Sequence, residues 1–242
     1  MELEVEHLTK RFGGIVALNG VSLRLSGNER VGLIGPNGSG KSTLVNTIAG
    51  IYEPDGGKIH LNGQDIGHLK PNQVLGRGLG RTFQVPRAFR RMTVMENLMV
   101  PALAIRPERG RQAWESRARE VLDFLTMDHL RNDYARSLSG GQQKLVELGQ
   151  LLMTDPDLLL LDEPFAGVHP QLMETIFDFI TTLHQQGKAF IIISHDMTSI
   201  FTLSERLLVL NSGEIIADGP PEAVKSDEAV IQAYLGEEAE DA

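Results

Sequence analysis

The alternation of apolar and polar residues near the start of the chain predicts β-strands. Leu3, Val5 and His7 alternate with glutamates, which indicates a strand with one buried face. The same period of two recurs over residues 21–25. Asn62-Gly63, which follows another alternating apolar pair, predicts a two-residue hairpin turn. The first part of the chain is therefore expected to consist mainly of strands and turns.

The middle of the chain, residues 85–155, predicts a block that is nearly all helix. Thr93 and Glu96 have the spacing of a capping box, in which each side chain satisfies a free backbone N–H at the helix start. A second helix is expected over residues 112–126, and a third near Ser139. We therefore expect a helical subdomain inserted into a chain of another type.

Buried strands alternate with amphipathic helices on either side of that block. Residues 30–34, 158–161 and 189–193 are short apolar runs, typical of strands buried on both faces. A helix from Pro170 carries a predicted buried stripe, which consists of Leu172, Ile176, Phe177, Ile180 and Leu183. The alternation predicts an α/β fold with a parallel sheet. We expect one unit, with residues 1–84 and 156–242 as its core and residues 85–155 as its helical subdomain.

Composition and charge exclude several classes of protein. The 242 residues include no cysteine, which excludes disulfides and thiol catalysis. No apolar run approaches the roughly 18 residues needed to span a bilayer, and the N-terminus lacks the layout of a signal peptide. We therefore expect a cytoplasmic chain that reaches a membrane only through a partner. The net charge of −9 argues against general nucleic-acid binding.

Arginine is concentrated in one stretch, where ten arginines stand against three glutamates. The arginines are Arg77, Arg81, Arg87, Arg90, Arg91, Arg106, Arg109, Arg111, Arg117 and Arg119, and the glutamates are Glu96, Glu108 and Glu115. Two interpretations stay open, a solvated face or a surface next to a membrane or membrane subunit.

The loop after residues 30–34 fits the pattern of a phosphate-binding P-loop. Glycines let backbone N–H groups approach phosphate oxygens, and the following helix points its positive end at the same anion. Lys41 is expected to neutralise charge on the β- and γ-phosphates, and Ser42 to offer its hydroxyl to Mg²⁺. The predicted cradle consists of Gly35, Pro36, Asn37, Gly38, Ser39, Gly40, Lys41, Ser42 and Thr43.

Two adjacent carboxylates end the apolar run 158–161. In a parallel sheet, ligands gather at the carboxyl ends of the strands, where the P-loop also lies. Asp162 is placed to hold Mg²⁺ through water, and Glu163 to polarise the attacking water. Such a pair could instead cap the next segment, but the P-loop favours the catalytic interpretation. His195 follows another buried run and could be an ordinary loop residue or, beside a nucleotide, a contact to the γ-phosphate.

A further glycine-rich segment, Leu138-Ser-Gly-Gly-Gln142, exposes backbone N–H groups at a second helix N-terminus. With these motifs in this order, the chain resembles the ABC (ATP-binding cassette) ATPase family along essentially its whole length. The resemblance implies a P-loop NTPase core with a parallel sheet, an N-terminal antiparallel β subdomain and an inserted helical subdomain. It also implies ATP hydrolysis by two subunits packed head to tail. The signature residues of one subunit, Ser139, Gly140, Gly141 and Gln142, then face the ATP of the other.

The resemblance assigns roles to individual residues. Phe12 stands where an aromatic residue, more often tyrosine, stacks on adenine. Gln84 matches the glutamine that links nucleotide state to the membrane subunits, and it joins Ser42 and Asp162 as an expected Mg²⁺ ligand. Glu163 and His195 match the catalytic glutamate and the switch histidine.

One position departs from the family pattern. His169 stands where the family usually has an aspartate, in the loop that crosses the dimer interface. Histidine titrates near neutrality, so we expect it to add pH sensitivity to ATP hydrolysis. A pH profile unchanged by His169→Asp would contradict this expectation.

Residues 81–89, 92–97 and 233–236 are most similar to the ATPases of branched-chain amino-acid importers. That resemblance implies permease subunits, a solute-binding protein and a location on the cytoplasmic face of the inner membrane. Residues 163–168 and the Tyr-Leu-Gly ending also resemble the ATPase of the lipopolysaccharide exporter, which stays as the alternative. An ABC ATPase acting on DNA or the ribosome, or a metabolite kinase, fits less well. The chain has no zinc cysteines, and a kinase has no use for residues 138–142.

Overall fold

A computed structural model describes residues 1–84, 87–105 and 110–240, without the side chains of residues 235–240. Val85, Pro86, Arg106, Glu108 and Arg109, which belong to segments discussed above, lie outside the described residues. The strands are β1 (Glu2–Phe12), β2 (Ile15–Ser26), β3 (Arg30–Ile34), β4 (Gly56–Leu61), β5 (Gln64–Asp65), β6 (Leu79–Arg81), β7 (Leu158–Asp162), β8 (Ala189–Ile193), β9 (Arg206–Asn211) and β10 (Glu214–Gly219). The helices are α1 (Lys41–Ile48), α2 (Pro71–Gly76), α3 (Val94–Ile105), α4 (Arg111–Phe124), α5 (Gly140–Leu152), α6 (Pro170–Gln185), α7 (Met197–Leu203), α8 (Pro221–Lys225) and α9 (Glu228–Glu240).

An antiparallel sheet near the N-terminus has the strand order β2-β1-β4-β5. The predicted turn at Asn62-Gly63 joins β4 to β5, and both residues have positive φ angles, as a type I′ turn requires. The expectation that His7 shares the buried face of Leu3 and Val5 is wrong. The register of β1 on β2 shifts between Val5 and Leu8, and His7 is exposed with a φ of +47°. Because of this bulge, the next buried residue of β1 after Val5 is Leu8 and not His7.

A larger sheet of six strands among the described residues has the order β10-β9-β3-β8-β7-β6. Its strands from β9 to β6 run parallel, and β10 pairs antiparallel at one edge. Because β3, β8, β7 and β6 are neighbours and parallel, the four loops that follow them leave from the same edge. Those loops carry the residues for which chemistry is predicted.

Alternate residues of the parallel strands enter two different cores. Leu33 and Leu160 pack with the antiparallel sheet and α1, whereas Ile34, Leu159 and Phe190 pack with α3 to α7. The central strands are therefore buried on both faces, as their continuous apolar runs predict. This confirms the expected α/β fold class with a parallel sheet.

The helices between the two halves of the sheet have the expected starts. Thr93 Oγ1 accepts a hydrogen bond from the N–H of Glu96 at 3.2 Å, and the Glu96 carboxylate accepts from the N–H of Thr93 at 2.8 Å. Ser139 and Gln142 form the same reciprocal pair at the start of α5. The division of the chain at residues 84 and 156 stays a prediction.

The predicted buried stripe of α6 needs two corrections. Phe179 is fully buried and Phe177 only partly, although Ile176, Ile180 and Leu183 are buried as expected. Leu172 is also only partly buried and packs against the core from the first turn. Both phenylalanines have an aromatic neighbour, Phe165 for Phe177 and Phe124 for Phe179. Within the described ranges, no helix has both the length and the apolar character needed to cross a membrane.

Candidate active site

A cavity of about 390 Å³ lies at the carboxyl ends of β3, β8, β7 and β6. It brings together residues that are up to 198 positions apart in the chain, from Ile15 to Gly213. Its lining includes these predicted site residues: Asn37, Gly38, Gly40, Lys41, Ser42, Thr43, Gln84, Asp162, Glu163 and His195. One cavity thus contains the loop glycines, a lysine, both carboxylates and the histidine.

The loop from Gly35 to Gly40 depends on glycine for its path. Gly35 has a φ of +146°, and an added Cβ would lie 1.9 Å from the carbonyl oxygen of Leu210. At Gly40, where φ is +108°, a Cβ would lie 2.6 Å from the carbonyl oxygen of Ala17. Gly40 also precedes α1 directly, so the helix begins at the cavity and directs its free N–H groups there. The geometry is that of an anion-binding loop.

Lys41 lies folded along the inside of this loop. Its Nζ donates to the carbonyl oxygens of Gly35 at 2.7 Å and Pro36 at 2.8 Å. The ammonium group is buried yet lines the cavity. A phosphate placed there would compete for these donors with a stronger, charge-assisted interaction.

Asp162 is held at the end of β7 by a buried ion pair. Arg81 Nη2 lies 3.2 Å from Asp162 Oδ2, and both side chains are 8% exposed. The N–H of Asp162 donates to Thr82 Oγ1 at 3.0 Å. Burial raises the pKa of Asp162, although the charges of Arg81 and Lys41 act in the opposite direction. Its carboxylate is therefore anchored at the base of the cavity.

Glu163 adopts a backbone conformation that is uncommon for a residue other than glycine. Its φ is +50°, and its N–H donates to the carbonyl oxygen of Ile193 at 2.9 Å. Its Oε1 lies 3.3 Å from His195 Nε2, and its Oε2 accepts from the backbone N–H of His195 at 3.3 Å. Burial raises the pKa of Glu163 above its ordinary value. A strained, buried carboxylate of raised pKa next to a histidine has the properties of a general base.

Gly35, Pro36 and Ser39 of the P-loop do not line the cavity themselves, and two other groups of predicted site residues lie apart from it. The Phe12 ring packs edge-on against Tyr52 at 5.1 Å, and the cavity wall on that side consists of Ile15, Val16 and Ala17. The signature segment, Ser139–Gln142, is not among the described residues that line the cavity. It forms the start of α5, where its first residues are exposed. A nucleotide bound in the cavity of one chain does not meet the signature of the same chain.

One glycine of the signature, Gly141, lies close to the start of α6. A Cβ on Gly141 would lie 2.9 Å from Leu172 Cδ1 at the start of α6. His169 caps α6, where its Nδ1 accepts from the N–H of Gln171 at 3.5 Å. The signature and the loop containing His169 are therefore neighbours on one surface. The expected pH effect of His169 stays a prediction.

Several cavity residues were missed by the sequence analysis. Ser212 and Gly213 belong to the β9–β10 turn, and Gly213 N–H donates to the carbonyl oxygen of Ser39 at 2.9 Å. The turn itself is recognisable in sequence, but nothing in it indicates contact with the P-loop. Lys144 and Glu147, which do not line this cavity but lie behind Asp162 and Glu163 in a small neighbouring one, were also missed. The available signal was a pair of opposite charges three residues apart, with two apolar residues between them.

The family model described as ABC transporter matches residues 18–166, more than half of the chain. The chain belongs to the ABC transporter family. Its membership confirms the expectation of an ATP-binding and ATP-hydrolysing subunit. A second model, described as branched-chain amino acid ATP-binding cassette transporter, matches residues 214–240.

Proteins of several organisms are similar to this ABC transporter chain along nearly their whole length. The high-affinity branched-chain amino acid transport ATP-binding protein BraF of Pseudomonas aeruginosa is 37% identical over 253 residues, covering 97% of this chain and 98% of that protein. LivG of Escherichia coli, of the same description, is 38% identical over 249 residues with the same coverage. The lipopolysaccharide export system ATP-binding protein LptB of Haemophilus influenzae is 39% identical over 236 residues, covering 98% of both.

Solved ATP-binding cassettes confirm the fold of this ABC transporter chain. A cassette in its ADP conformation has a TM-score of 0.86 at 38% identity, covering 98% of this chain and 99% of that one. A nucleotide-free cassette has the same TM-score at 36% identity, covering 97% and 99%. A dimeric cassette in a post-hydrolysis state, bound to ADP and phosphate, has a TM-score of 0.82 at 27% identity, covering 90% and 98%.

Proposed function

We propose that this chain is the ATPase subunit of an importer of branched-chain or related amino acids. The observation that carries the proposal is the match of residues 214–240 to the C-terminal model of that transporter class. BraF and LivG, which are named for that transport, are 37% and 38% identical to the chain along nearly its whole length. The ATPase has no expected contact with the cargo, so the cargo is inferred from these similarities alone.

The residues of the cavity are proposed to hydrolyse ATP in defined roles. The P-loop, Gly35 to Thr43, holds the phosphates, and Lys41 turns its ammonium group from the loop carbonyls to the β- and γ-phosphates. Glu163 takes a proton from the attacking water, and its raised pKa and burial favour that role. His195, whose Nε2 lies next to the Glu163 carboxylate, contacts the γ-phosphate. The products are ADP and inorganic phosphate.

The chemistry of the cavity also fits Mg²⁺. Ser42, Gln84 and Asp162 offer hydroxyl, amide and carboxylate oxygens at one cavity, which are ligands of the kind that Mg²⁺ prefers. Within the described ranges, no group of three or more histidine, cysteine, aspartate or glutamate side chains is arranged to hold a metal ion. Bound there, Mg²⁺ would neutralise charge on the phosphates.

A second ATPase subunit is proposed to complete the site. The signature residues Ser139 to Gln142 lie away from the cavity of their own chain, and a solved relative at 27% identity is a dimer with ADP and phosphate bound. In a head-to-tail dimer the signature N–H groups of one chain contact the γ-phosphate held by the other. Phe12 is proposed to stack on adenine beside Ile15 and Val16, once its ring leaves Tyr52.

The membrane permeases are proposed to dock in a groove next to Gln84. This groove, of about 290 Å³, lies between α2, β6, α3 and α5 and has mostly apolar walls. Phe83, Arg87 and Pro101 line it, so an occupant would contact the segment that leads into the cavity. The assembly would lie on the cytoplasmic face of the inner membrane, with a solute-binding protein on the far side.

Two substitutions test the catalytic roles. Glu163→Gln should retain ATP binding while kcat for hydrolysis falls on the order of 100-fold or more, because the base is lost. Lys41→Ala should weaken ATP binding itself in an equilibrium titration, because the phosphate charge is no longer neutralised. Glu174→Gln, an exposed change on α6, is the control and should hydrolyse ATP at the unmodified rate. Turnover of Glu163→Gln near the unmodified rate would refute the role of Glu163.

The ATPase of a lipopolysaccharide exporter is the second candidate, favoured by the 39% identity to LptB. Co-purification from native membranes, followed by mass spectrometry, separates the two candidates. Two different permeases together with a solute-binding protein would support the importer. Exporter-type permeases without a solute-binding protein would support the second candidate. If no membrane protein accompanies the chain, both fail.

A further inference from the structure

Helix α5 carries two buried charged side chains to which the proposed reaction assigns no role. Lys144 is 8% exposed and Glu147 is 7% exposed, while Leu145 and Val146 between them belong to the core. Burying a charge costs free energy unless a partner compensates it. The hydrogen-bond partners of these two side chains therefore indicate the role of the pair.

Lys144 holds the backbone of Glu163. Its Nζ donates to the Glu163 carbonyl oxygen, next to the residue's strained φ of +50°. Burial lowers the pKa of Lys144, while the charges of Glu163, Glu147 and Asp162 favour its ammonium form. The bond opposes rotation of the Glu163 peptide and so helps to keep the backbone conformation from which the Glu163 carboxylate lines the cavity.

Glu147 holds the segment that leads to Gln84. Its Oε1 accepts from the N–H of Phe83 at 2.9 Å. Two guanidinium groups contact the Phe83 ring, that of Arg81 at 4.9 Å and that of Arg87 at 4.3 Å from its centroid. Gln84 is the next residue and lines the cavity. The direction in which the chain leaves β6 is thus fixed from α5.

We propose that Lys144 and Glu147 are positioning residues that tie the start of α5 to the catalytic cavity of the same chain. They are one helical turn apart, and the signature residues Ser139 to Gln142 begin the same helix. A shift of α5 would therefore move Glu163 and Gln84 together. In the proposed dimer, the ATP that contacts the signature of this chain is held by the P-loop of the partner. Through α5, that ATP would act on Glu163 of this chain. The inference rests on the proposed roles of Glu163 and the signature.

The first test removes the donor of Lys144. Lys144→Met keeps the length and buried character of the side chain but cannot bond the Glu163 carbonyl. We expect kcat for ATP hydrolysis to fall on the order of 10-fold to 100-fold, since small misplacements of a catalytic group have effects of that size. KM for ATP should change by no more than about 2-fold, because the P-loop is untouched. Lys144→Arg restores a donor and should recover most of the activity.

The second test separates the acceptor of Glu147 from its charge. Glu147→Gln keeps an oxygen that can accept from Phe83 N–H, and its kcat should stay close to the unmodified value. Glu147→Leu removes the acceptor and should lower kcat about 10-fold. The control is Lys188→Met, which removes ion pairs with Asp155 and Asp157 and should lower stability at most.

Glu163→Gln is measured in parallel, and its full activity would refute the proposed base rather than the positioning role. If Glu163→Gln is inactive while Lys144→Met and Glu147→Leu lose only melting temperature, the pair is structural and the positioning role is overturned. A rise in KM that accounts for the whole loss would also overturn it, because the pair would then act on ATP binding. The kcat loss with rescue by Lys144→Arg is the supporting result.

Discussion

Single backbone positions determine whether the phosphate-binding loop can form. Gly35→Ala places a Cβ 1.9 Å from a backbone oxygen of β9, whereas nothing lies within 4 Å of a Cβ at Gly38. Both glycines have positive φ, so the two substitutions share backbone strain and differ in the clash. We expect Gly38→Ala to cost about 1 kcal/mol of unfolding free energy and Gly35→Ala about 3 kcal/mol. Urea denaturation of both variants measures the difference, and equal losses would contradict the steric explanation.

At the scale of residues, the sequence predicts chemistry better than it predicts contacts. The cavity contains Lys41, Asp162 and Glu163 as expected, because the end of a parallel strand determines where the next residue lies. His7 was placed on the wrong face, because one bulge residue reverses the alternation and leaves no trace in the hydrophobic pattern. The bond between Glu147 and Phe83 joins residues 64 positions apart, which no local pattern reports.

The caps of α3 and α5 offer a comparison between two helices of the same subdomain. Thr93 and Ser139 each form a reciprocal pair with the third residue of the helix. We expect Thr93→Ala and Ser139→Ala each to lower the unfolding free energy by about 1 kcal/mol. Ser139→Ala should also lower ATP hydrolysis on the order of 10-fold, because that cap orients the signature toward a second subunit. If Thr93→Ala and Ser139→Ala lost ATP hydrolysis to the same extent, the cap of α5 would have no role in hydrolysis beyond helix stability.

Helix α5 also gives the protein a pH-dependent stability. Burial raises the pKa of Glu147 from 4.5 to about 7. Between these values the folded chain holds a proton that the unfolded chain releases, so stability falls as the pH rises through that window. The loss amounts to about 3 kcal/mol, and Glu147→Gln should remove it. Chemical denaturation from about pH 4.5 to about pH 7 tests this. Glu96→Gln is the control: hydrogen bonds from Thr93 lower the pKa of Glu96, so its own contribution falls below pH 4.5 and the variant should leave the slope above pH 4.5 unchanged.

Elements differ in how far their sequence alone predicts them. Helices α3 to α5 have capping boxes or an amphipathic pattern, and their apolar faces are long enough to indicate helix. Strand β6 is only three residues long and contains Gly80, whose missing side chain makes room for Leu151. Strand β6 forms because it pairs with β7, which lies about eighty residues later in the chain. The residues of β6 alone therefore do not predict it. Short strands between glycines are not visible in a hydrophobic pattern.

The whole molecule combines a rigid sheet with a helical layer that can act on it. The parallel strands separate two cores, and their common edge carries the cavity. The helical layer reaches that edge through Lys144 and Glu147, while its signature faces outward. A single chain therefore presents a phosphate-binding loop and, away from it, a second helix start that is proposed to bind an anion. This incompleteness is the physical reason to expect assembly.

Assembly can be measured on the purified chain. Glu163→Gln should be a monomer without nucleotide and a dimer with ATP and Mg²⁺, because bound ATP is then not hydrolysed and joins the cradle of one chain to the signature of the other. Sedimentation velocity at several protein concentrations gives the association state. Lys41→Ala in the same background should stay monomeric, since its cradle no longer holds the phosphates. A monomer of Glu163→Gln in ATP would contradict self-pairing and would indicate that a different ATPase supplies the second signature.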